Sequence, residues 1–531
     1  MFRKHKRQEE NISVIDLFAG PGGLGEGFSA FRTKENGFPF SICLSIEKDI
    51  LAHQTLRLRS FFRKFPTGDA PIEYYNFLKG QISLNELFEL FPKEIAQAEK
   101  EAWCAELGKV SSGQVDKRIK AALNGSKTWV LIGGPPCQAY SIAGRSRMAK
   151  IWRERPDLKE SDSRHFLYKA YLRILASHTP PVFVMENVRG LLSAKLSNGP
   201  IFTQILKDIS NPTRVFRNAG SGGVRYRLYS FVKKPCNLNL LNDLMFQPHD
   251  FLIKAEKYGI PQRRHRVIIL GIRSDLNLIP EIIHEHGVEV PVGDVINDLP
   301  PLRSRFSRGK DSKERWRMHI ETAIQANWAG ENRIDSSVLE KMRWQAKHLP
   351  DDLEYGGEFV CRKNQPANLY HKDWFLDGRL RGYCNHVSKA HMPSDIHRYF
   401  FASCYASVKK STPMLRDFPK SLWPSHRNVN QSINNGDFND RFRVQVESLP
   451  ATTVTSHISK DGHYYIHPDP SQARSLTVRE AARLQTFPDN YFFCGNRTHQ
   501  YVQVGNAVPP LLARQIAEVV LNVLQQTGLQ I

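Results

Sequence analysis

A cysteine on a stiff loop is the first group in this sequence able to do chemistry. Cys137 follows Gly133-Gly134-Pro135-Pro136, and these follow the apolar run Trp129 to Ile132. A short β-rich run halted by two glycines and two prolines reads as a buried strand with an abrupt end, because each proline removes a ladder donor and fixes φ. In open α/β sheets ligands bind at the carboxyl ends of the strands. A free thiol is only slightly ionised near neutrality, so a nucleophilic Cys137 needs a base or a local field from elsewhere. A small buried cysteine in a turn is the bland alternative. Glu186 ends the buried run Val182 to Met185 and so falls on the same sheet edge, or else caps the next turn. Arg264 and Arg266 lie in Gln262-Arg263-Arg264-His265-Arg266, just ahead of the strong strand Val267 to Ile272. Their fixed donor forks can clamp a base or a phosphate, or simply face solvent.

These groups need elements to hold them. Ser13 to Phe18 reads as a strand, and the glycine-rich stretch from Ala19 to Phe28 as a turn opening a helix. Gly20-x-Gly22-x-x-Gly25 after a strand, with Glu47 at the end of the next apolar run, has the form of a nucleoside-cofactor loop whose acid holds ribose hydroxyls. A nicotinamide dinucleotide would fit this half equally well, and a plain tight turn with a surface Glu is the simpler reading. Asp49 to Lys64 reads as a helix, about 66–127 as an insertion between core strands, and His165 to Ala176 as an amphipathic helix. The basic stretch Arg145 to Arg155 suits either a lid over phosphates or a solvated face.

The whole chain narrows the choice. At 531 residues with 41% hydrophobic content it can build two or three domains. A net charge of +21 points to a polyanionic partner, with nucleic acid the leading candidate. Eight cysteines without a CxxC pair read as reduced thiols rather than disulfides or metal ligands. Neither an apolar leader in Met1 to Glu10 nor a run of about 20 apolar residues is present, so a soluble intracellular protein is expected.

Taken in order, these stretches resemble the DNA (cytosine-5)-methyltransferase family. The matches are Asp16 to Phe28, Glu47, Gly133 to Ser141, Asp162-Ser163-Arg164, Glu186-Asn187-Val188, Gln262 to Arg266, Arg474 to Asp489 and Gly505 to Pro510. The resemblance implies an α/β fold, with a Rossmann-like S-adenosylmethionine-dependent methyltransferase domain on a mostly parallel, doubly wound sheet and a second, irregular target-recognition domain. It implies that Cys137 attacks C6 of a cytosine flipped out of double-stranded DNA, that Glu186 contacts N3 and the exocyclic amine, and that Arg266, with Arg264 near it, faces the base and the thiolate. Cofactor contacts would come from Phe18, Gly20, Gly22 and Gly23, from Glu47 on the ribose, from Asp69 on adenine, and from Pro136 and Asn506. No metal is implied. Lys48 stands where the family often has an aromatic, and His165 where it commonly has Gly.

The expected domains are 1–292 (catalytic), 293–439 (target recognition) and 440–531 (return to the catalytic domain). Five of the eight tryptophans, Trp316, Trp328, Trp344, Trp374 and Trp423, fall in the second. This region reads either as the base-reading domain or as an aromatic-packed interaction insert. Thr452 to His467 predicts a hairpin about Lys460-Asp461-Gly462. Thr477 and Glu480 predict a capping box opening a helix, and Pro510 to Gln525 a helix beside the first strand. A DNA enzyme of this kind is expected to be a monomer in the bacterial cytoplasm, associated with the nucleoid and not with a membrane, and admits a separately acting restriction endonuclease. A tRNA cytosine-5 methyltransferase and a catalytically silent DNA-binding module are the alternatives. The roughly 150-residue recognition region argues against the first, and intact Cys137, Glu186 and Arg266 against the second.

Overall fold

A computed structural model describes residues 11–35, 37–136, 164–196, 199–216, 223–235, 246–331, 334–363, 365–366, 368–424 and 440–527. Cys137, the basic stretch 145–155 and Asp162-Ser163 lie outside them.

Near-continuous runs of Val, Ile and Leu form strands buried on both faces, which is what a parallel sheet covered by helices requires. The strands are β1 (Ile12–Leu17), β2 (Phe40–Glu47), β3 (Ala102–Cys104), β4 (Trp129–Gly133), β5 (Val182–Val188), β6 (Tyr226–Ser230), β7 (Leu252–Lys254) and β9 (His265–Arg273), with the short β8 (Gln262–Arg263) between the last two. Across the sheet the order is β3-β2-β1-β4-β5-β9-β6, and β7 also pairs with β9. The first five are mutually parallel, whereas β9 runs antiparallel to β5, β6 and β7. The expected α/β, mostly parallel sheet is therefore present. From β1 the chain winds outward to β2 and β3, then restarts on the other side with β4. The crevice at this reversal, between the carboxyl ends of β1 and β4, is where such sheets take ligands.

Helices cover both faces. α1 (Gly23–Ser29) and α2 (Ile50–Phe62) follow β1 and β2; α3 (Ile72–Leu78), α4 (Leu84–Leu90) and α5 (Pro92–Glu101) precede β3; α6 (Ser112–Leu123) and α7 (Arg164–His178) precede β4 and β5. Of the stretch 66–127 read as an insertion, residues 102–123 supply β3 and α6 to the layers of the sheet, with Val115 and Ile119 in its core. The added part is the helical stretch before β3. Its core, with Tyr74, Tyr75, Leu78 and Phe88, includes Leu380 and Cys384 from the recognition region.

That region contains a core of its own, built from α8 (Lys313–Glu321), α9 (Ser336–Lys347) and α10 (Pro393–Lys409) around Trp316, Met342 and Phe400, and extending to Phe442 and Val444. Gly356–Cys361 and Gly382–Val387 pair antiparallel as β10 and β11. A separate cluster joins Val292, Val295, Phe375 and Tyr383 to residues of the C-terminal return.

In the return, α11 (Val478–Leu484) opens with the expected capping box between Thr477 and Glu480. The hairpin expected over 452–467 is absent. Ala451–Thr452 (β12) pairs in parallel with β8, and Ser456–Ser459 is a 3-10 turn: Thr452 N and Val454 N donate to the side chains of Gln445 and Gln262, Ile466 N and His467 N to Arg443 O and Arg474 O, and donors between them close local turns, so no ladder forms across 460–462. α12 (Arg497–Asn506) and α13 (Pro510–Gln526) follow, separated by Ala507-Val508-Pro509. Together they are long and apolar enough to match a membrane span, but 78% of the matching window is buried inside the fold. α13 packs on α1 so closely that a Cβ on Gly27 would lie 2.3 Å from Ala513 Cβ.

Candidate active site and cofactor loop

Phe18, at the end of β1, has φ 57°, a left-handed conformation uncommon for a bulky residue and a mark of functional loops. Gly22, with φ 93°, caps α1. Glu47, at the end of β2, accepts from Gly20 N (2.8 Å) on Oε2 and from Lys48 N and Asp49 N (2.8 Å each) on Oε1. The expected loop and its acid are thus brought together, and the carboxylate is oriented by three backbone donors with one lone pair, on Oε2, to spare.

The C-terminal return closes the loop from outside. Tyr491 Oη donates to Pro21 O. A Cβ on Gly23 would fall 2.1 Å from Val508 O, so only glycine fits beneath the residues that follow Asn506. Asn506 itself is exposed, at the end of α12. Asp16, on β1 beneath the loop, is fully buried, and among the described residues neither oxygen accepts an aligned hydrogen bond. Burial pushes its carboxyl up to about 8; the backbone N–H of Gly25 draws it back, and the nearby Glu47 charge adds to the rise.

Asp69 is not part of this site. α2 carries the chain about 20 Å from the carboxyl edge before Asp69 is reached, and its side chain is 81% exposed, with Arg379 4.0 Å away. The carboxyl end of β3 instead presents Glu106, whose Oε1 lies 3.4 Å from Lys48 Nζ, while Ala105 N donates to Glu47 O (2.9 Å). Sequence reading misses Glu106 because a three-residue strand carries no periodicity, and the stretch reads as the tail of the preceding helix.

The second half of the site lies one strand over. A Cβ on Gly133 would fall 2.4 Å from Leu17 O, and one on Gly134 2.8 Å from Glu186 Oε2. Gly133 is therefore required by close approach of the backbone, and a side chain at 134 would push the Glu186 carboxylate aside. Asn187 Nδ2 donates to Pro135 O (3.2 Å) and fixes the loop that runs through the half-buried Pro136 into Cys137. Glu186 sits opposite Ile268, and Arg266 opposite Val188, so Glu186 and Arg266 are diagonal neighbours on one face. Arg266 Nε lies 2.9 Å from Glu186 Oε1 as an ion pair without an aligned hydrogen bond. Burial lowers the Arg266 pKa, and Glu186 opposes the shift.

Arg264, which the resemblance sets near Arg266, is close enough to feel the charges of Arg266 and Glu186, but its Nη groups are taken up by the C-terminal return. It is buried, and its Nη groups donate to Val454 O (2.7 Å) and Gly505 O (3.3 Å). Those donors hold the C-terminal return and leave no fork for a substrate. Two buried glutamines hold the return as well. Gln262 Nε2 donates to Leu484 O and Gln485 Oε1, and Gln485 Nε2 donates to Val504 O and Ala507 O. Arg264, Gln262 and Gln485 thus set the position of Asn506.

A glycine loop braced by an acid thus meets, at the reversal of a mostly parallel sheet, a Glu–Arg pair on the adjoining strands, an arrangement that sets this chain among the α/β enzymes. A model of the C-5 cytosine-specific DNA methylases matches residues 82–212 and 235–522. The chain belongs to that family and is a DNA cytosine-5 methyltransferase. Type II methyltransferase M.Bpa9945I of Bacillus paralicheniformis is 32% identical across 96% of this chain and 99% of its own length. M.AgeI of Thalassovita gelatinovora is 26% identical with the same shares, and the DNA (cytosine-5-)-methyltransferase M.ApeKI of Aeropyrum pernix is 27% identical across 79% of this chain and 87% of its own. Among solved structures, a putative DNA modification methyltransferase encoded within an E. coli prophage shares the fold, with TM-score 0.50 and 18% identity over 97% of this chain and 100% of that one.

Proposed function

We propose that this enzyme methylates C5 of a cytosine flipped out of a specific double-stranded DNA site, with Cys137 as nucleophile. The packing of Glu186 carries the reading. Its carboxylate is wedged between Gly134, the first residue of the loop that leads to Cys137, and Arg266 at 2.9 Å. A cytosine set against this edge meets a carboxyl group for N3 and the exocyclic amine, and a guanidinium for its O2.

C5 of cytosine is a poor nucleophile until the 5,6 double bond is broken. Cys137 thiolate adds to C6, the electrons move toward C5, and a proton held by Glu186 meets the charge developing at N3. S-adenosylmethionine, when bound, supplies an electrophilic methyl group for C5. Loss of the C5 proton to a base, return of the N3 proton to Glu186 and expulsion of the thiolate from C6 restore the ring and the free enzyme. Phe18, Gly20, Gly22 and Gly23 would hold the cofactor with Asn506 and Pro136, and Glu47 would hold its ribose. The remaining lone pair of Glu47 and the open space beside Gly20, where a Cβ would meet nothing within 4 Å, fit such a ligand. Glu106, rather than Asp69, is the acid positioned to accept from an adenine amine.

The type II relatives support a restriction-modification role, with an endonuclease as a separate partner. A duplex carrying 5-fluorocytosine at the target tests the chemistry, because fluorine at C5 prevents the final elimination. The wild type should form an adduct that needs S-adenosylmethionine and survives denaturing electrophoresis, and Cys137→Ser should form none. An adduct with Cys137→Ser, or none with the wild type on a site it methylates, would exclude Cys137 as nucleophile.

A further inference from the structure

A polar chain joins the cofactor loop to the base of the recognition region. Glu26, on α1, is held by Arg59 through Nε (2.9 Å) and Nη2 (2.5 Å). Arg59 Nη1 donates to Asn490 Oδ1 (3.1 Å), and Asn490 Nδ2 donates to Asp377 Oδ2 (2.8 Å). The same Asp377 oxygen accepts from Tyr75 Oη (3.0 Å), and Oδ1 accepts from Arg379 N (2.8 Å). An amide accepts from a cation at one end and donates to an anion at the other, so the partners dictate the orientation of Asn490. Its neighbour Tyr491 holds Pro21 O and lies 4.9 Å from the Arg59 guanidinium. Residues 490–491 therefore touch the cofactor loop on one side and the recognition region on the other. From Asp377 the chain runs through β11 to His391, which pairs with Phe306 inside the recognition core.

We infer that Asn490 is a positioning residue that couples cofactor binding to DNA binding. A cofactor seated on Phe18–Gly23 fixes Pro21 and α1. Arg59 and Asn490 pass that constraint to Asp377, which sets the base of the recognition region. This rests on the cofactor reading above. Because binding linkage is reciprocal, cofactor and cognate DNA must tighten one another by the same factor, on the order of tenfold.

The test uses the full chain, S-adenosyl-L-homocysteine, and a duplex carrying the site first mapped by bisulfite sequencing. Dissociation constants for DNA are measured with and without the cofactor product, and for the cofactor product with and without DNA. In the wild type both should fall together. In Asn490→Leu each separate affinity should stay within about twofold of wild type while the coupling ratio drops to about one. Asp377→Asn reads the same quantity should Asn490→Leu not fold. Tyr75→Phe, which leaves the chain intact, should keep the ratio. A wild-type ratio of one, an unchanged ratio in either coupling variant, or a variant that loses cofactor affinity with its ratio intact would overturn the inference. A wild type that does not bind S-adenosylhomocysteine at all would overturn the cofactor reading, and the inference with it.

Discussion

Asp16 sits in an environment far from the one a carboxyl group ordinarily occupies. It is an aspartate in a fully buried strand, pushed up to about 8 mainly by loss of water. The folded state keeps this proton to about pH 8, whereas an unfolded carboxyl releases it near 4. Between those values the folded chain binds the extra proton, so this group's contribution to stability falls as pH rises and is level above pH 8. Asn at position 16 does not titrate. The stability of Asp16→Asn relative to wild type should therefore rise from pH 5 to 8 by up to about 1.4 kcal/mol per unit and then flatten. Urea unfolding at four pH values measures it, and a pH-independent difference would refute the assignment. Other single residues are legible in the sequence for the opposite reason. Glu47, Gly20 and Glu186 belong to patterns of spacing that survive without knowledge of packing, and the structure brings the first two together and sets Glu186 against the cysteine loop. The sequence sets Arg264 beside Arg266 but does not tell what it holds, because the carbonyls that its Nη groups meet, Val454 O and Gly505 O, lie 190 and 241 residues away along the chain.

At the level of elements, the capping box marks α11 as a helix, but not what the helix holds. Arg474, Arg479 and Arg483 are all fully buried around it. Arg479 donates to Cys384 O, Pro488 O and Tyr491 O, and Arg483 pairs with Asp489 and Asp298. A charge run in a helix normally means a solvated face, and here tertiary contacts override that expectation. Replacing Arg483 by Met leaves two buried carboxylates facing each other, and loss of one partner from a buried ion pair costs about 3–5 kcal/mol. Arg483→Met should lower the urea midpoint accordingly. A variant as stable as wild type would show that the carboxylates find other partners or protonate at no cost. The hairpin expected over 452–467 fails for a related reason, since strand signals there are answered by β8 and not by the neighbouring residues.

For the whole molecule, the boundary expected at 293–439 is drawn differently by the cores. Val292, Val295, Phe375 and Tyr383 pack with the C-terminal return, and Leu380 and Cys384 with the α2–α5 helices. Around Trp316, Met342 and Phe400 lies a separate body that takes in Val446 and rests on Ile466 and Ala473 of the return. Sequence composition could not separate the two, because both are aromatic-rich. The portion to exchange for a change of target is then 303–353 together with 393–446, with β10, β11 and the turn at Asp377 left in place. A chimera carrying that portion from a relative of different target should methylate the donor's site at a rate within about tenfold of wild type, read by bisulfite sequencing. An active chimera that keeps the original site would place base reading outside this body.

The clasp of Tyr491 and Val508 on the glycine loop also bears on how the enzyme comes into being. β1 and its loop are made hundreds of residues before the groups that shut the loop. While a ribosome still holds the stretch beyond Asp489, the sheet can assemble but its loop has no lid. A nascent or prematurely terminated chain is therefore silent by construction. Methylation begins only once that stretch has left the ribosome, and its onset in a newly infected or transformed cell lags behind translation by at least the time needed to dock it.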